Sequence, residues 1–288
     1  MIDLHTHSTA SDGSLAPAAL VRAAAEAGLR GIALTDHDTV AGVAQAAAEA
    51  RKRGVPFIAG MEISAKPERG SMHILGYHVD ARHPHLLTRL NWLVERRNER
   101  NVLIARKLNG LGLDVSLEEV RAAAGGGVVG RPHFARVMIA KGHVKSEAIA
   151  FKKYLDRSGL AYVEKDRLDP EECLGLVRAA GGVPVLAHPD QTKAEGGDLE
   201  RLVRRLVGLG LAGIEVHYPG YSRSRIAEYS ELARKYGLVL TGGSDFHGGT
   251  KPGCELGRGR GTLRVPDDLL GPLAEAARRV REGRAEGT

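Results

Sequence analysis

Histidine and carboxylate recur in this chain at spacings that suit metal chelation. His5 and His7 lie two apart at the end of a short apolar run, and the two-residue period of a strand turns both rings to the same side. Asp12 follows in Ser11-Asp12-Gly13-Ser14, which also reads as turn chemistry. His37 stands in Thr35-Asp36-His37-Asp38 after the next apolar run, where Asp38 or Thr39 could equally cap a helix. Glu62 and His73 interrupt two further apolar runs, and a lone buried Glu is costly unless it is paired or bound to metal. His188 closes residues 183–187, while Asp245 and His247, again two apart, follow residues 238–243. Each signal is modest alone, and together they point to a multinuclear metal centre. Such donors suit Mn, Fe or Zn better than Ca, and softness does not separate the three.

Positioning these residues requires strands that end at one place. Residues 1–5, 31–35, 55–63 and 72–79 read as buried strands, with Ala-rich helices over 17–27 and 39–53. Ser14 is a plausible cap for the first helix, with Pro17 in its opening turn. The alternation resumes near residue 168, with helices over 170–180, 199–209 and 223–236 and strands over 183–187, 213–217 and 238–241. Repeated strand-helix-strand units imply an α/β fold with a parallel sheet and helices outside. About seven strands favour a closed or nearly closed (β/α) barrel whose strand ends open on one face.

Residues 82–165 break the rhythm. A long amphipathic helix over 85–108 and short helices over 117–124, 132–141 and 147–155 are separated by joints such as Gly125-Gly126-Gly127. The expected organisation is a catalytic barrel of residues 1–81 and 166–288, with 82–165 an all-helical insertion forming a substrate lid. The tail after Arg278 is expected to fray.

Composition narrows the function classes. A chain of 288 residues, 43% of them hydrophobic, can bury a substantial core as one large domain or two small ones. No apolar run approaches the roughly 18 residues of a membrane-spanning helix, and the opening Met1-Ile2-Asp3-Leu4-His5 lacks the features of a secretory signal, so a cytoplasmic protein is expected. Two distant cysteines, Cys173 and Cys254, suggest reduced structural thiols. The net charge of +6, from 41 Lys and Arg against 35 Asp and Glu, favours an anionic substrate without the dense basic patch of a duplex-binding protein.

The ordered set His5-x-His7, Asp12, His37, Glu62, His73, His188 and Asp245-x-His247 resembles the PHP family of metal-dependent phosphoesterases over nearly the whole chain, with all four family motifs present and no ligand substituted. The resemblance implies a distorted seven-stranded barrel and two to three divalent ions, Mn before Fe or Zn. It also implies a partition of the ligands. His5, His7, Glu62 and Asp245 would hold a first metal, bridging Glu62 with His73 and His188 a second, and Asp12, His37 and His247 a third. Paired ions about 3.5 to 4 Å apart activate water at neutral pH and clamp phosphate oxygens during in-line attack, so no protein nucleophile is required. Asp36 and Asp38 are candidates to orient His37 from behind, or to cap.

Gly130-Arg131-Pro132-His133, in the helical segment, offers a planar Arg fork and a helix-opening His, although it also reads as a capped helix with a surface Arg. Within the family, an Arg-Pro-His element in a helical insertion is similar to the 3',5'-nucleoside bisphosphate phosphatases, whose relatives also trim short RNA from the 5' end. That likeness implies Arg131 and His133 as substrate-binding residues. It also implies conversion of a 3',5'-nucleoside bisphosphate to a nucleoside 5'-monophosphate, with 5'-3' exonuclease action on short RNA. The partner would be a small anionic nucleotide or short RNA, with no membrane and no obligate protein partner. Histidinol-phosphate phosphatase and a nucleic-acid-associated PHP module are the alternatives. The helical insertion argues against the first, the complete ligand set against the second. His217, Tyr218 and Tyr221 are further candidates for substrate contact or base stacking, whereas His78, His83, His85, His143 and Trp92 read as surface or core.

Overall fold

The computed structural model describes residues 1–125 and 127–285; Gly126, in one of the expected glycine joints, and residues 286–288 lie outside them. Six strands, β1 (Ile32–Leu34), β2 (Phe57–Ala65), β3 (Met72–Tyr77), β4 (Val183–Leu186), β5 (Gly213–His217) and β6 (Val239–Gly242), form one curled sheet in chain order. Helices α1 (Pro17–Glu26) and α2 (Val43–Arg53) connect the first strands, and α7 (Pro170–Ala179), α8 (Gly196–Gly208), α9 (Arg223–Tyr236) and α10 (Leu270–Ala285) accompany the later ones. Between β3 and α7 run α3 (Pro84–Gly110), α4 (Leu117–Ala123), α5 (Arg131–Ala140) and α6 (Glu147–Ala150), the last continuing into one π turn, Phe151–Leu155. No helix among the described residues is long and apolar enough to cross a membrane.

Three expectations change. The sheet is not all parallel, because β3 runs antiparallel to both β2 and β4, while the other neighbours are parallel. The cause is the short connection over residues 66–71, since a parallel return needs a crossover of a dozen or more residues. Second, residues 1–5 make no named strand. Isolated bridges stand there instead, Asp3 to Ile32 and, just past the segment, Thr6 to Phe246. Asp3 N donates to Gly31 O and Leu4 N to Gly242 O, so this segment links the β1 edge to the β6 edge. It passes so close to Gly243 that a Cβ there would lie 2.3 Å from His5 N, which requires glycine. Third, α10 continues past Arg278 to Ala285. Leu273, Ala276 and Ala277 bury against the sheet, and Arg281 donates to His78 O at 2.8 Å.

Apolar packing divides in two around α3. Its first half, through Leu86, Leu90 and Leu93, joins the layer between the sheet and α7, α8 and α9. The second half, through Ile104, Ala105 and Leu108, joins a separate cluster with Val120, Phe134, Met138 and Leu155. Each large side chain buried there contributes roughly 1.5 to 3 kcal/mol. The short helices also carry their own caps: Ser116 and Glu119 form a reciprocal capping box at α4, and Ser146 Oγ accepts from Ile149 N at α6.

Candidate metal centre

The reversed β3 explains how His73 reaches the same place as residues that follow parallel strands. In the β2–β3 register Glu62 faces Leu75 and Ser64 faces His73, so Glu62 and His73 share a face, and His73 enters from the start of its strand. Its Nδ1 lies 2.8 Å from Glu62 Oε1. His188, just past β4, places Nε2 2.9 Å from the same oxygen. The other Glu62 oxygen faces His37 Nδ1 at 3.0 Å, His5 Nε2 at 3.3 Å and His7 Nε2 at 3.4 Å. Asp245 Oδ1 adds contacts to His7 Nε2 at 3.3 Å and His247 Nδ1 at 3.4 Å, and Asp12 Oδ1 lies 3.2 Å from His247 Nε2. The other eight donors nominated in the sequence therefore gather around buried Glu62, five imidazoles in contact with it and Asp12, Asp245 and His247 through those imidazoles.

Their chemistry fits cations. Glu62 Oε2, His5 Nε2, both His7 nitrogens and His37 Nδ1 are buried without a hydrogen-bond partner, although they crowd within a few ångströms of one another. Orphaned polar atoms of this kind are costly unless something else satisfies them. Four overlapping groups could each hold an ion: His7, Asp12, His37 and His247; His5, His7 and Asp245; His5, Glu62 and His188; and His37, Glu62 and His73. Glu62 is shared, as the family resemblance implies, but His73 groups with His37 and His188 with His5. Backbone strain gathers here too, because Asp38, His188 and Asp245 adopt positive φ of 54°, 25° and 52°. Non-glycine residues in such regions cost of order 1 to 3 kcal/mol each.

Electrostatics sorts the donors by sign. Burial opposes charge on His5, but Glu215, Glu62 and Asp245 lift it well above the usual imidazole value. His37 is likewise buried, and Glu62 and Asp12 carry it up to about 9. His7, buried and facing His247 and His37, drops to about 3. Burial would raise Asp12, Glu62 and Asp245, yet the imidazoles around them hold all three well below the carboxylate range. The carboxylates are thus anionic and collect positive charge.

Several residues at the site went unnoticed in the sequence. Glu215, fully buried on β5, accepts from His5 Nδ1 at 2.9 Å and from His188 N at 2.8 Å. That contact fixes the His5 tautomer and turns Nε2 inward. The signal was available, because Glu215 interrupts an apolar run just as Glu62 does. Lys251 is another, pairing with Asp245 Oδ2, to which Tyr218, a candidate already named in the sequence, donates at 2.7 Å. Lys251, Glu147, Gln191, Thr250 and Pro132 complete the lining of a cavity of about 360 Å³ over the donors.

Other nominated residues lie elsewhere. Asp36 accepts from Ser8 N, Ser8 Oγ and Ser11 Oγ, and Asp38 from Ser64 N, Arg97 and Lys165, so both pin loops and neither orients His37. Arg131 Nη1 donates to Leu155 O at 2.9 Å, away from the cavity lining. His133 is buried, its Nδ1 accepts from Gly130 N, and burial with nearby Arg136 pushes its pKa down to about 4. Only Pro132 of that element lines the cavity. Tyr221 donates to Asp190, and His217 stays outside the lining.

A curled α/β sheet that collects six imidazoles and three carboxylates at one mouth defines a protein of the metal-dependent hydrolase class. The PHP domain matches residues 3–124. The 5'-3' exoribonuclease Rnm of Escherichia coli is 39% identical over 258 residues, spanning 89% of this chain and 88% of the relative. The 3',5'-nucleoside bisphosphate phosphatase of Chromobacterium violaceum is 35% identical over 89% of this chain and 90% of its own. A solved structure from Bifidobacterium adolescentis, assigned as a metal-dependent phosphoesterase, superposes with a TM-score of 0.85 over 96% of both chains at 28% identity. The chain belongs to the PHP family.

Proposed function

We infer that this chain is a metal-dependent phosphoesterase acting on nucleotides. It converts a 3',5'-nucleoside bisphosphate to the nucleoside 5'-monophosphate and removes nucleotides from the 5' end of short RNA. The observation that carries the reading is the Glu62 carboxylate with five imidazole nitrogens within 3.4 Å of its two oxygens, beneath the cavity. One geometry serves both substrates. In each, water attacks a phosphorus carried on the 3' oxygen of a 5'-phosphorylated nucleotide, and that oxygen leaves with a proton. With RNA, the phosphate stays on the shortened strand as its new 5' end.

His5, His7, Glu62 and Asp245 are assigned to a first ion, Glu62, His73 and His188 to a second, and Asp12, His37 and His247 to a third, with Mn preferred over Fe or Zn. When bound, such ions supply water activation at neutral pH and charge neutralisation on phosphate. The chain's own groups do the rest. Glu215 holds His5 in the tautomer that leaves Nε2 free, and Lys251 brings positive charge to the cavity wall beside Asp245. Residues 1–81 and 166–288 form the catalytic body in this reading, with the bridged N-terminal segment as its seventh stave. Residues 82–165 form the lid, supported by their separate apolar cluster. Arg131 serves as a phosphate contact, which requires it to leave Leu155 O, while His133 holds the turn that presents Pro132.

Phosphate release from 3',5'-bisphosphates, 5'-monophosphates and histidinol phosphate, with Mn added, tests the assignment. Bisphosphates are expected to turn over fastest. Preference for histidinol phosphate would replace the nucleotide reading with that alternative.

A further inference from the structure

On the flank of the mouth away from the helices between β3 and α7 lies a second cavity, of about 280 Å³, between the β2–β3 connection and α8. Arg69 lines it from the connection, and Arg201 and Arg205 line it from α8, with Ala194 and Leu202 as part of its apolar surface. Lys193 stands at its edge, where Gly70, at φ 58°, packs so closely that a Cβ there would lie 2.8 Å from Lys193 Cγ. Arg201 pairs with Asp198 and Arg205 with Glu68, whereas among the described residues neither Arg69 nor Lys193 makes an ion pair. Four cations therefore meet two carboxylates. Both pairs are exposed, and such pairs contribute about 0 to 1 kcal/mol, so stability does not account for the surplus.

This groove adjoins the metal centre on two elements. Met72 lines it and the next residue, His73, lines the mouth; Thr192 lines it and the preceding residue, Gln191, lines the mouth. Ser71 N donates to Gln191 O at 2.8 Å, and the Ser71 hydroxyl donates to Gln191 Oε1 at 3.3 Å, which fixes the shared rim. The helices between β3 and α7 meet the mouth elsewhere, with Pro132 and Glu147 in its lining and Arg136 donating to Asp12 O at 3.4 Å. A strand with its 5' nucleotide under those helices and its scissile phosphate at the metal centre has an open way out over the rim.

We propose that this groove holds the part of an RNA substrate downstream of the scissile phosphate, with Arg69, Lys193, Arg201 and Arg205 facing its backbone. The proposal rests on the exonuclease reading above, since a nucleoside bisphosphate has no downstream strand. Charge complementarity selects the occupant. The cations are spread over two connections and, at Arg201 and Arg205, over neighbouring turns of α8, which suits successive phosphates and not a single ion. Guanidinium forks match phosphate as they match carboxylate, so Asp198 and Glu68 hold Arg201 and Arg205 in place until a strand displaces them. Contacts to the backbone carry no base preference.

A 5'-phosphorylated RNA dinucleotide ends at the nucleoside beyond the scissile phosphate, and the trinucleotide adds one downstream phosphate. Their kcat/KM ratio in the metal-loaded full chain therefore reads the groove. The wild type is expected to prefer the trinucleotide by about 2- to 5-fold, mainly through KM, the range of an exposed charge contact, and to lose that preference as salt rises. Arg69→Ala combined with Lys193→Asn, an exchange that tolerates the Lys193 φ of 59°, should bring the ratio to about one. Glu68→Gln, which removes the carboxylate competing for Arg205, should raise the ratio above wild type, an effect that loss of a merely structural pair does not have. A wild-type ratio of about one at low salt, a preference retained in the double variant, or a ratio not raised in Glu68→Gln overturns the groove and leaves the exonuclease reading intact. No cleavage of either RNA, while adenosine 3',5'-bisphosphate still turns over, overturns both.

Discussion

At the mouth of the sheet nine titratable side chains share one volume, several of their polar atoms have no partner, and three nearby residues sit at positive φ. A short distance along the chain, the helices between β3 and α7 close around Phe134, Met138 and Leu155, and Ser116 and Glu119 satisfy each other's backbone. The two regions follow opposite rules. The helical region follows local preferences more closely, burying Phe134, Met138 and Leu155 and capping α4 and α6 with serine. The mouth violates them, and violations of this kind collect where function outweighs stability. Helix α3 belongs to both, because Leu90 and Leu93 face the sheet layer, Ile104 and Leu108 the helical core, and Arg97 and Arg100 lie between.

The largest effect should come from Glu62→Gln. Glu62 touches five of the six imidazoles, so its loss is expected to remove bound metal and more than about a hundredfold of turnover, beyond the range of an outer contact. The fold should survive, because the apolar layers that carry it do not depend on Glu62, with a Tm no higher than that of wild type since the imidazoles lose their anionic partner. Turnover and metal content like those of wild type would break the contrast between the two regions.

Glu215→Gln is a milder blow to the same region. An amide can still accept from His5 Nδ1 but lacks the charge that makes the imidazole a strong donor set. A loss of about 10- to 100-fold in metal affinity is expected, partly recovered at high metal concentration. Loss of folding in place of metal affinity would make Glu215 a core residue only.

Glu119→Gln, in the helical region, should have the smallest effect. Lys141 and the Ser116 backbone lower the Glu119 pKa from 4.5 to about 2. A depressed carboxylate contributes stability that is present above its unfolded pKa and lost as pH falls through its folded one. The variant should therefore melt a few degrees or less below wild type at pH 7, and the gap should close between pH 4.5 and 2. Metal content and turnover should not move; if they do, the two regions are coupled through α4.

Eight of the nine donors were legible because each breaks an apolar run or closely follows one, where a charged group has few cheap explanations, whereas Asp12 lies in a turn-like stretch and was marked only by its place in the ordered set. Glu215 carries the same mark, a carboxylate inside the apolar strand β5, with His217 at the strand's end as the more conspicuous candidate. The reversal of β3 was hidden because period-2 apolar runs carry no direction; only the shortness of residues 66–71 could have shown it. Residues 1–5 read as a strand from their apolar pattern, yet in the fold they only bridge two edges. The direction of Arg131 was not legible at all, since a helix-opening Arg can turn to a ligand or to a carbonyl such as that of Leu155, and the tertiary neighbours decide. The order of α10 beyond Arg278 comes from Arg281 reaching His78 O, a contact 203 positions apart in sequence.

Titrating Mn into chelator-treated protein, while counting bound ions and following phosphate release from adenosine 3',5'-bisphosphate, tests the centre most directly. Activity should be absent without metal and should rise only as more than one ion per chain is bound, with Glu62→Gln failing on both measures. Full turnover in protein that holds no metal, or with a single ion bound, would contradict the assignment of these nine residues to a multinuclear centre.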